Sequence, residues 1–437
     1  MSTPLLSRMQ KLCQEFEYTN DDVRRCANEF VRELASVCQI PTYVTQVATG
    51  QEKGIALGLD LGGTNLRVCS VELNGDSTFR VLQSQIPVPH SVMVSETSKG
   101  LFAFMSERIR LFLEHHQLSL NSEIDLLKLP VKVTAIVNDA LGTVMSRAYT
   151  SPLAHIRPTI GAIFGTGTNG VYLQNLSGIT KPVDGMVDQS TGSMFMSTEW
   201  GSFDNNLTVL PVTRFDVELD THSVNPGNQM FEKRVSGMFL GELLRLVILE
   251  LYRDEHLKLF QGCRQSTLNL DPSVGLWHHW SVDASILSAA EADDSDALDT
   301  LRGKISSTFG IASENISAED ARTVKLVANA IGRRAARLAG TAVGSVIVQS
   351  GILGQSPIQC NATSGTLSLV DVAVDGSVAE HYPGFQNYMR DALRAIPQIG
   401  DTIEPSISIG QAKDGSSVGA AIVALVVAHQ TTKGSVG

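Results

Sequence analysis

Three observations predict an α/β chain built around a cleft. Apolar strand-like runs alternate with helix-like runs. Several of those strands end in turns rich in Gly, Ser and Thr. The chain has 437 residues, too many for one ordinary core and suited to about two to three domains. A hydrophobic fraction of 43% and a charged fraction of 18% fit a folded, soluble chain.

The net charge of -11 and the absence of a Lys/Arg-rich run argue against nucleic acid and anionic membrane as partners. The six cysteines form no C-x-x-C pair, which fits a reducing compartment. The N-terminus lacks the charged and apolar regions of a signal peptide. The most apolar stretches, "AGTAVGSVIV" and "SVGAAIVALVVAH", are too short to span a bilayer. Cytoplasmic residence is therefore expected.

Residues 1–40 read as helical, with a "TNDD" cap before Val23. "GIALGLDL", "GGTN" and "LRVCSVEL" read as strand, turn and strand, followed by a second turn at "NGDS". "SKGLFAFMSERIRLFLEHH" places Leu101, Phe104, Met105, Ile109, Phe112 and Leu113 on one helical face. Strands are expected at "VKVTAIVND" and at "TIGAIFGTGTNGVYLQ", and a periodic helix from Gln229 to about Arg253. Helical patterns run from Ala284 to Ile311, then a long helix capped by Ser317. The chain closes with a strand at "SLVDVAVDGSV", a helix after Pro383, a strand at "SISIGQ" and a last apolar helix. No short internal period marks a solenoid.

Chemistry collects at the strand ends. Gly62 and Gly63 permit close backbone approach, Thr64 and Asn65 add short donors, and Asp60 could hold Mg²⁺ through water. The same turn also suits an ordinary hairpin tip. "IFGTGTNG", with Gly165, Thr166 and Gly167, and "QAKDGSSVGAA" repeat the pattern. Three such turns suggest a nucleotide gripped between two lobes, against the alternative of three unrelated loops. Asn138 and Asp139 end the "AIV" strand, where a carboxylate could accept a hydroxyl proton or where "ND" could simply turn the chain. Glu199 and Glu232 are either hydroxyl acceptors or surface carboxylates. "WHHW" at 277–280 lacks metal-ligand spacing and reads as packing. "GRRAAR" at 332–337 reads as a solvated helix face, with a phosphate contact as the other reading.

Taken together, "LDLGGTNLRVCSVELNG", "IGAIFGTGTNGVY", "TEWGSFDN", "LPVTRFDVELDTHSVNPGNQMFEKRVSGMFLGELLRL" and "VDGSVAEHYPGF" resemble the eukaryotic hexokinases, most closely the fungal glucokinase branch. The resemblance covers almost the whole chain. It implies a two-lobed actin-like ATPase (ribonuclease H-like) fold, mixed sheets flanked by helices. The small lobe would be 54–139 plus about 415–437, and the large lobe 1–53 plus 140–414. It implies ATP and Mg²⁺ as cofactors, a hexose as substrate, and transfer to the 6-hydroxyl. Asp139 matches the family's general base, and Asn138, Asn169, Glu199 and Glu232 match its sugar-binding positions. Asp60, Gly62, Gly63, Thr64, Asn65 and Arg67 match its first phosphate motif, and Gly165, Thr166 and Gly167 its second. Asp414, Gly415, Ser416 and Val418 match the region near the adenosine.

The sequence also departs from the family. Between His116 and Val131 it lacks the longer segment that carries the Ser-Phe-Pro and Thr-Lys-Gly-Phe sugar contacts. Gln85 replaces a lysine, Ala140 a threonine and Ser417 a glycine. A catalytically impaired regulator or nucleotide-binding protein is therefore the alternative expectation.

Overall fold

The computed structural model describes residues 3–36, 40–62, 65–94, 97–116, 131–151, 158–183, 188–257, 259–261, 275–354, 370–412 and 414–434. Two β-sheets organise these residues, a six-stranded one and a three-stranded one.

The first residues fold as α1 (Thr3–Glu15) and α2 (Asn20–Leu34), and Thr19 with Asp22 makes a reciprocal capping box at the start of α2. The "TNDD" cap is thus where the sequence puts it. A two-residue strand, β1 (Ile40–Pro41), leads to the small sheet of β2 (Lys53–Leu61), β3 (Asn65–Asn74) and β4 (Phe79–Pro87), paired antiparallel in that order. Central β3 is buried on both faces because its pleat sends alternate residues to different partners. Leu66 and Val68 join Phe112 of α3 (Lys99–His115), while Cys69, Val71 and Leu73 join the core beneath the opposite face.

Two helices fill that opposite face. α4 (Asp139–Thr150) packs on α12 (Gly415–Gly434), and α12 also lies against β2. Gly142 and Gly419 let their backbones touch, since a Cβ on Gly419 would stand 1.8 Å from the Gly142 carbonyl oxygen.

The six-stranded sheet has the order β1-β7-β6-β5-β8-β9. β5 (Ile160–Phe164) and β6 (Thr168–Asn175) form a hairpin, extended by β7 (Ser193–Ser197). On the other side β8 (Val370–Asp375) and β9 (Ile407–Gln411) run parallel. Buried on both faces, β8 is apolar save for Asp371 and its last residue, Asp375; Asp371 takes a bidentate pair from Arg147 of α4 at 2.9 and 3.1 Å. Helices α5 (Arg214–Thr221), α6 (Glu232–Val235), α7 (Gly237–Arg253), α8 (Ser285–Ala292), α9 (Asp299–Phe309), α10 (Ala318–Gln349) and α11 (Phe385–Ala395) surround this sheet. Ser317 caps α10 through a capping box with Asp320.

Two expectations fail. Residues 131–138 are not a strand. A strand needs a hydrogen-bonded neighbour, and none is paired to this segment among the described residues. Only its inner side is half-buried: Ala135 and Val137 pack on the core, while Val133 and Ile136 are 57% and 93% exposed. The expected helix from Gln229 to Arg253 is broken at Ser236, which is extended. The break frees the Gly237 and Met238 amides to donate to the Gly165 and Thr166 carbonyls at 2.8 and 3.2 Å. It therefore ties α7 to the β5–β6 turn.

Candidate active site

The β5–β6 turn is shaped by what surrounds it. A Cβ on Gly167 would lie 2.9 Å from Glu232 Oε2, and the Thr168 amide donates to that same oxygen at 3.0 Å. Gly170 gives room to the Trp200 ring, whose Nε1 donates to Thr168 Oγ1 at 2.9 Å. Glycine and threonine here are imposed by a buried tryptophan and a carboxylate, and Thr166 is left exposed at the tip.

Two of the residues matched to sugar binding form one network with Ser197. Asn169 Nδ2 donates to Glu199 Oε1 at 2.9 Å and to Ser197 Oγ at 3.1 Å, and Ser197 Oγ donates to Glu199 Oε1 at 2.6 Å. Glu199 holds a left-handed backbone, φ 48° and ψ 40°, uncommon for a residue with a side chain. That geometry turns an exposed carboxylate over the end of β6. Glu232 reaches the same neighbourhood, and burial, with Glu199 nearby, raises its carboxyl above the ordinary range.

Asn138 and Asp139 open α4. Asn138 is its N-cap, with Oδ1 accepting from the Ala140 amide at 2.9 Å, so its amide N–H groups are what it can offer a ligand. Asp139 Oδ1 also accepts from the Ala140 amide, at 2.8 Å. The side chain reaches solvent, yet protein walls restrict its hydration, and the carboxylates of Asp60 and Glu199 stand near it. Together these push the Asp139 pKa up to about 6, burial first. Asp139 thus feels one carboxylate from each sheet.

Asp60 ends β2, where Arg67 Nη1 donates to its Oδ2 at 3.2 Å and Ser416 Oγ at 2.8 Å. Both contacts use Oδ2, which among the described residues leaves Oδ1 as the oxygen for a hydrated cation. Arg67 is steadied from β4 by Gln85, whose Oε1 accepts from Nε at 3.3 Å. A lysine at position 85 would remove that acceptor. Gly62 donates to the Asn65 carbonyl at 2.9 Å and closes the turn; Gly63 and Thr64 lie outside the described residues.

The third turn departs most from its sequence reading. Asp375, at the end of β8, accepts from the Gly376 amide at 2.7 Å and stands beside the Gly415 and Ser416 amides, while the Gly415 amide itself donates to the Ala412 carbonyl at 2.9 Å. The first turn of α12 thus already has a carboxylate of the protein beside it. Val418 is buried in the core, so it shapes the turn without facing a ligand; Asp414, at φ 52°, stays partly exposed. Sequence reasoning missed Asp375, although "VDGS" repeats the Asp-Gly-Ser of "KDGS". Burial raises its carboxyl above the ordinary range. Gly376, at φ 107°, lies against the Phe164 carbonyl and joins this turn to the β5–β6 turn.

Glycine-lined backbone, an exposed Thr166 and Oδ1 of Asp60 fit a polyphosphate with a hydrated cation. Neighbouring Asn169, Glu199 and Glu232 fit a polyhydroxylated molecule. The "WHHW" segment packs as expected: Trp277 joins the core, and Trp280 meets Phe239 edge-on at 5.9 Å. "GRRAAR" does not stay a solvated face, because Arg334 is buried against Asp216.

Two family models, both described as Hexokinase, match residues 8–126 and 159–426. The stretch between them, with Asn138 and Asp139, lies outside both matches. A glucokinase from Aspergillus niger is 39% identical, with 99% of each chain covered, and Glucokinase-1 from Saccharomyces cerevisiae is 32% identical, with 97% of each covered. The Aspergillus alignment runs over 505 positions, more than the 437 residues here, so that relative carries residues this chain lacks. A solved hexokinase from Schistosoma mansoni complexed with glucose superposes with a TM-score of 0.78 at 25% identity, covering 98% of this chain and 100% of its own.

Proposed function

The chain belongs to the hexokinase family, and from that premise we propose that it transfers the terminal phosphoryl group of ATP to the 6-hydroxyl of glucose or a related hexose. The observation that carries this reading is Asp139 with a pKa near 6, between Asp60 on the phosphate side and Glu199 on the hydroxyl side. Asn138, Asn169, Glu199 and Glu232 would bind the sugar hydroxyls, since carboxylates and amides together read both donors and acceptors. Asp139 would accept the 6-hydroxyl proton as the oxygen attacks. Gly62, Gly63, Thr64, Asn65, Arg67 and the Gly165–Gly167 turn would hold the phosphates. Bound Mg-ATP supplies the phosphoryl group and the cation, with Asp60 as the residue to orient the cation through water. Asp414 and the outer surface of the α12 turn would lie near the adenosine.

The small lobe is read as 54–139 with about 415–437, and the large lobe as the rest. Closure of the lobes would exclude water from the phosphoryl group. Cytoplasmic residence follows from the sequence reading; among the described residues no helix is long and apolar enough to cross a membrane. The relatives are named for kinase activity, which favours an enzyme over the regulator alternative. Calorimetry with glucose tests the sugar site. The expected result is saturable binding that Glu232→Ala weakens at least tenfold; absence of binding in the unmodified chain contradicts it.

A further inference from the structure

The arginines of "GRRAAR" line a groove that shares no residue with the candidate active site. It lies between the α1–α2 connection and α10 and has a volume of about 880 Å³. Arg333 and Arg337 are four residues apart, so they stand one above the other on one face of α10. Arg333 is exposed, with its guanidinium carbon 5.2 Å from the Tyr388 ring centroid. Arg337 donates from Nε to the Tyr18 carbonyl at 2.9 Å and from Nη2 to Asn20 Oδ1 at 2.6 Å.

Neither guanidinium is in an ion pair with a carboxylate among the described residues. The groove's other arginines differ. Arg24 pairs with exposed Asp21 at 2.6 Å, and Arg334 is neutralised by Asp216 through two bonds of 2.7 Å. Glu17 is the other acid on the rim. In a chain of net charge -11, two guanidinium groups facing one concavity with no carboxylate in ion-pair contact among the described residues are out of pattern; Asp391 and Asp22 act on Arg337 from farther off. The guanidinium fork matches phosphate oxygens, and a shared anion would relieve the repulsion of two cations one turn apart. Asn20 and Asn329 stand on the groove wall beside the two arginines.

We propose that this groove binds a phosphorylated small molecule, its phosphate held between Arg333 and Arg337 and its hydroxylated body against Asn20 and Asn329. The site is separate from the cleft where phosphoryl transfer is read.

Pyrophosphate is the probe, titrated calorimetrically into the full chain with and without Mg-AMPPNP. The expected result is a salt-sensitive binding event in the unmodified chain under both conditions, weakened at least tenfold in the double variant Arg333→Gln, Arg337→Gln. Because Arg337 also braces the α1–α2 turn, the exposed Arg333→Gln is made alone; it should weaken the event at least threefold with an unchanged thermal midpoint. Absence of the event in the unmodified chain overturns the proposal, as does its persistence in both variants. Citrate binding as tightly as pyrophosphate overturns it too, by showing general attraction for anions.

Discussion

Lowering the pH through 6 switches off the proposed base, and the structure sets how steeply. With a pKa of about 6, Asp139 is about 91% ionised at pH 7 and about 9% at pH 5, so kcat/KM for glucose falls roughly tenfold between them. A carboxyl left at the ordinary 3.8 would lose less than about 10% over the same range. The assay is initial rate at low glucose and saturating Mg-ATP, coupled to oxidation of the product. Glu199→Gln and, separately, Asp60→Asn each remove one neighbouring carboxylate, so each moves the acid limb to lower pH, whatever it does to the plateau. Acid unfolding through this group does not mimic the effect. Its folded-state pKa is raised, so its ionised form opposes folding above pH 6, and that penalty fades as pH falls from 6 toward 3.8. An acid limb below pH 4.5 in the unmodified enzyme, or one that neither variant moves, refutes the reasoning.

Two further changes test the frame that holds the site. Gly376→Ala puts a Cβ 2.5 Å from the Phe164 carbonyl at φ 107°; strain of about 1 to 3 kcal/mol plus a similar overpacking cost should lower the denaturation midpoint clearly, and an unchanged midpoint contradicts the contact. Arg147→Met strands Asp371, whose side chain is 0% exposed, and should cost about 3 to 5 kcal/mol in denaturant unfolding, with partial recovery when Asp371→Leu is added.

Much of the fold was legible because its signals are local. Thr19 and Ser317 announce helix starts through acids three residues on, and the Gly58–Leu73 hairpin carries strand alternation around a Gly-rich tip. What was not legible depends on distant partners. The "VKVTAIV" run has strand periodicity, but a ladder needs a neighbour, and no periodicity reveals whether one is present. The break at Ser236 serves the Gly165 and Thr166 carbonyls some 70 residues earlier in the chain. In the site, the resemblance picked out Asp139, Glu199 and Glu232, and the structure adds the network linking Glu199 to Asn169 and Ser197. Asp375 escaped notice because a lone acid after an apolar strand gives no sign that it will stand beside the start of a helix some 40 residues later. Arg334 was misread because its partner, Asp216, is more than 100 residues away.

The most direct test of the whole account is formation of hexose 6-phosphate from glucose and Mg-ATP, measured for the unmodified chain beside Asp139→Ala. The account predicts product that requires both substrates and falls by about 10² to 10⁴ when the base is removed. A rate no higher than that of Asp139→Ala would contradict it.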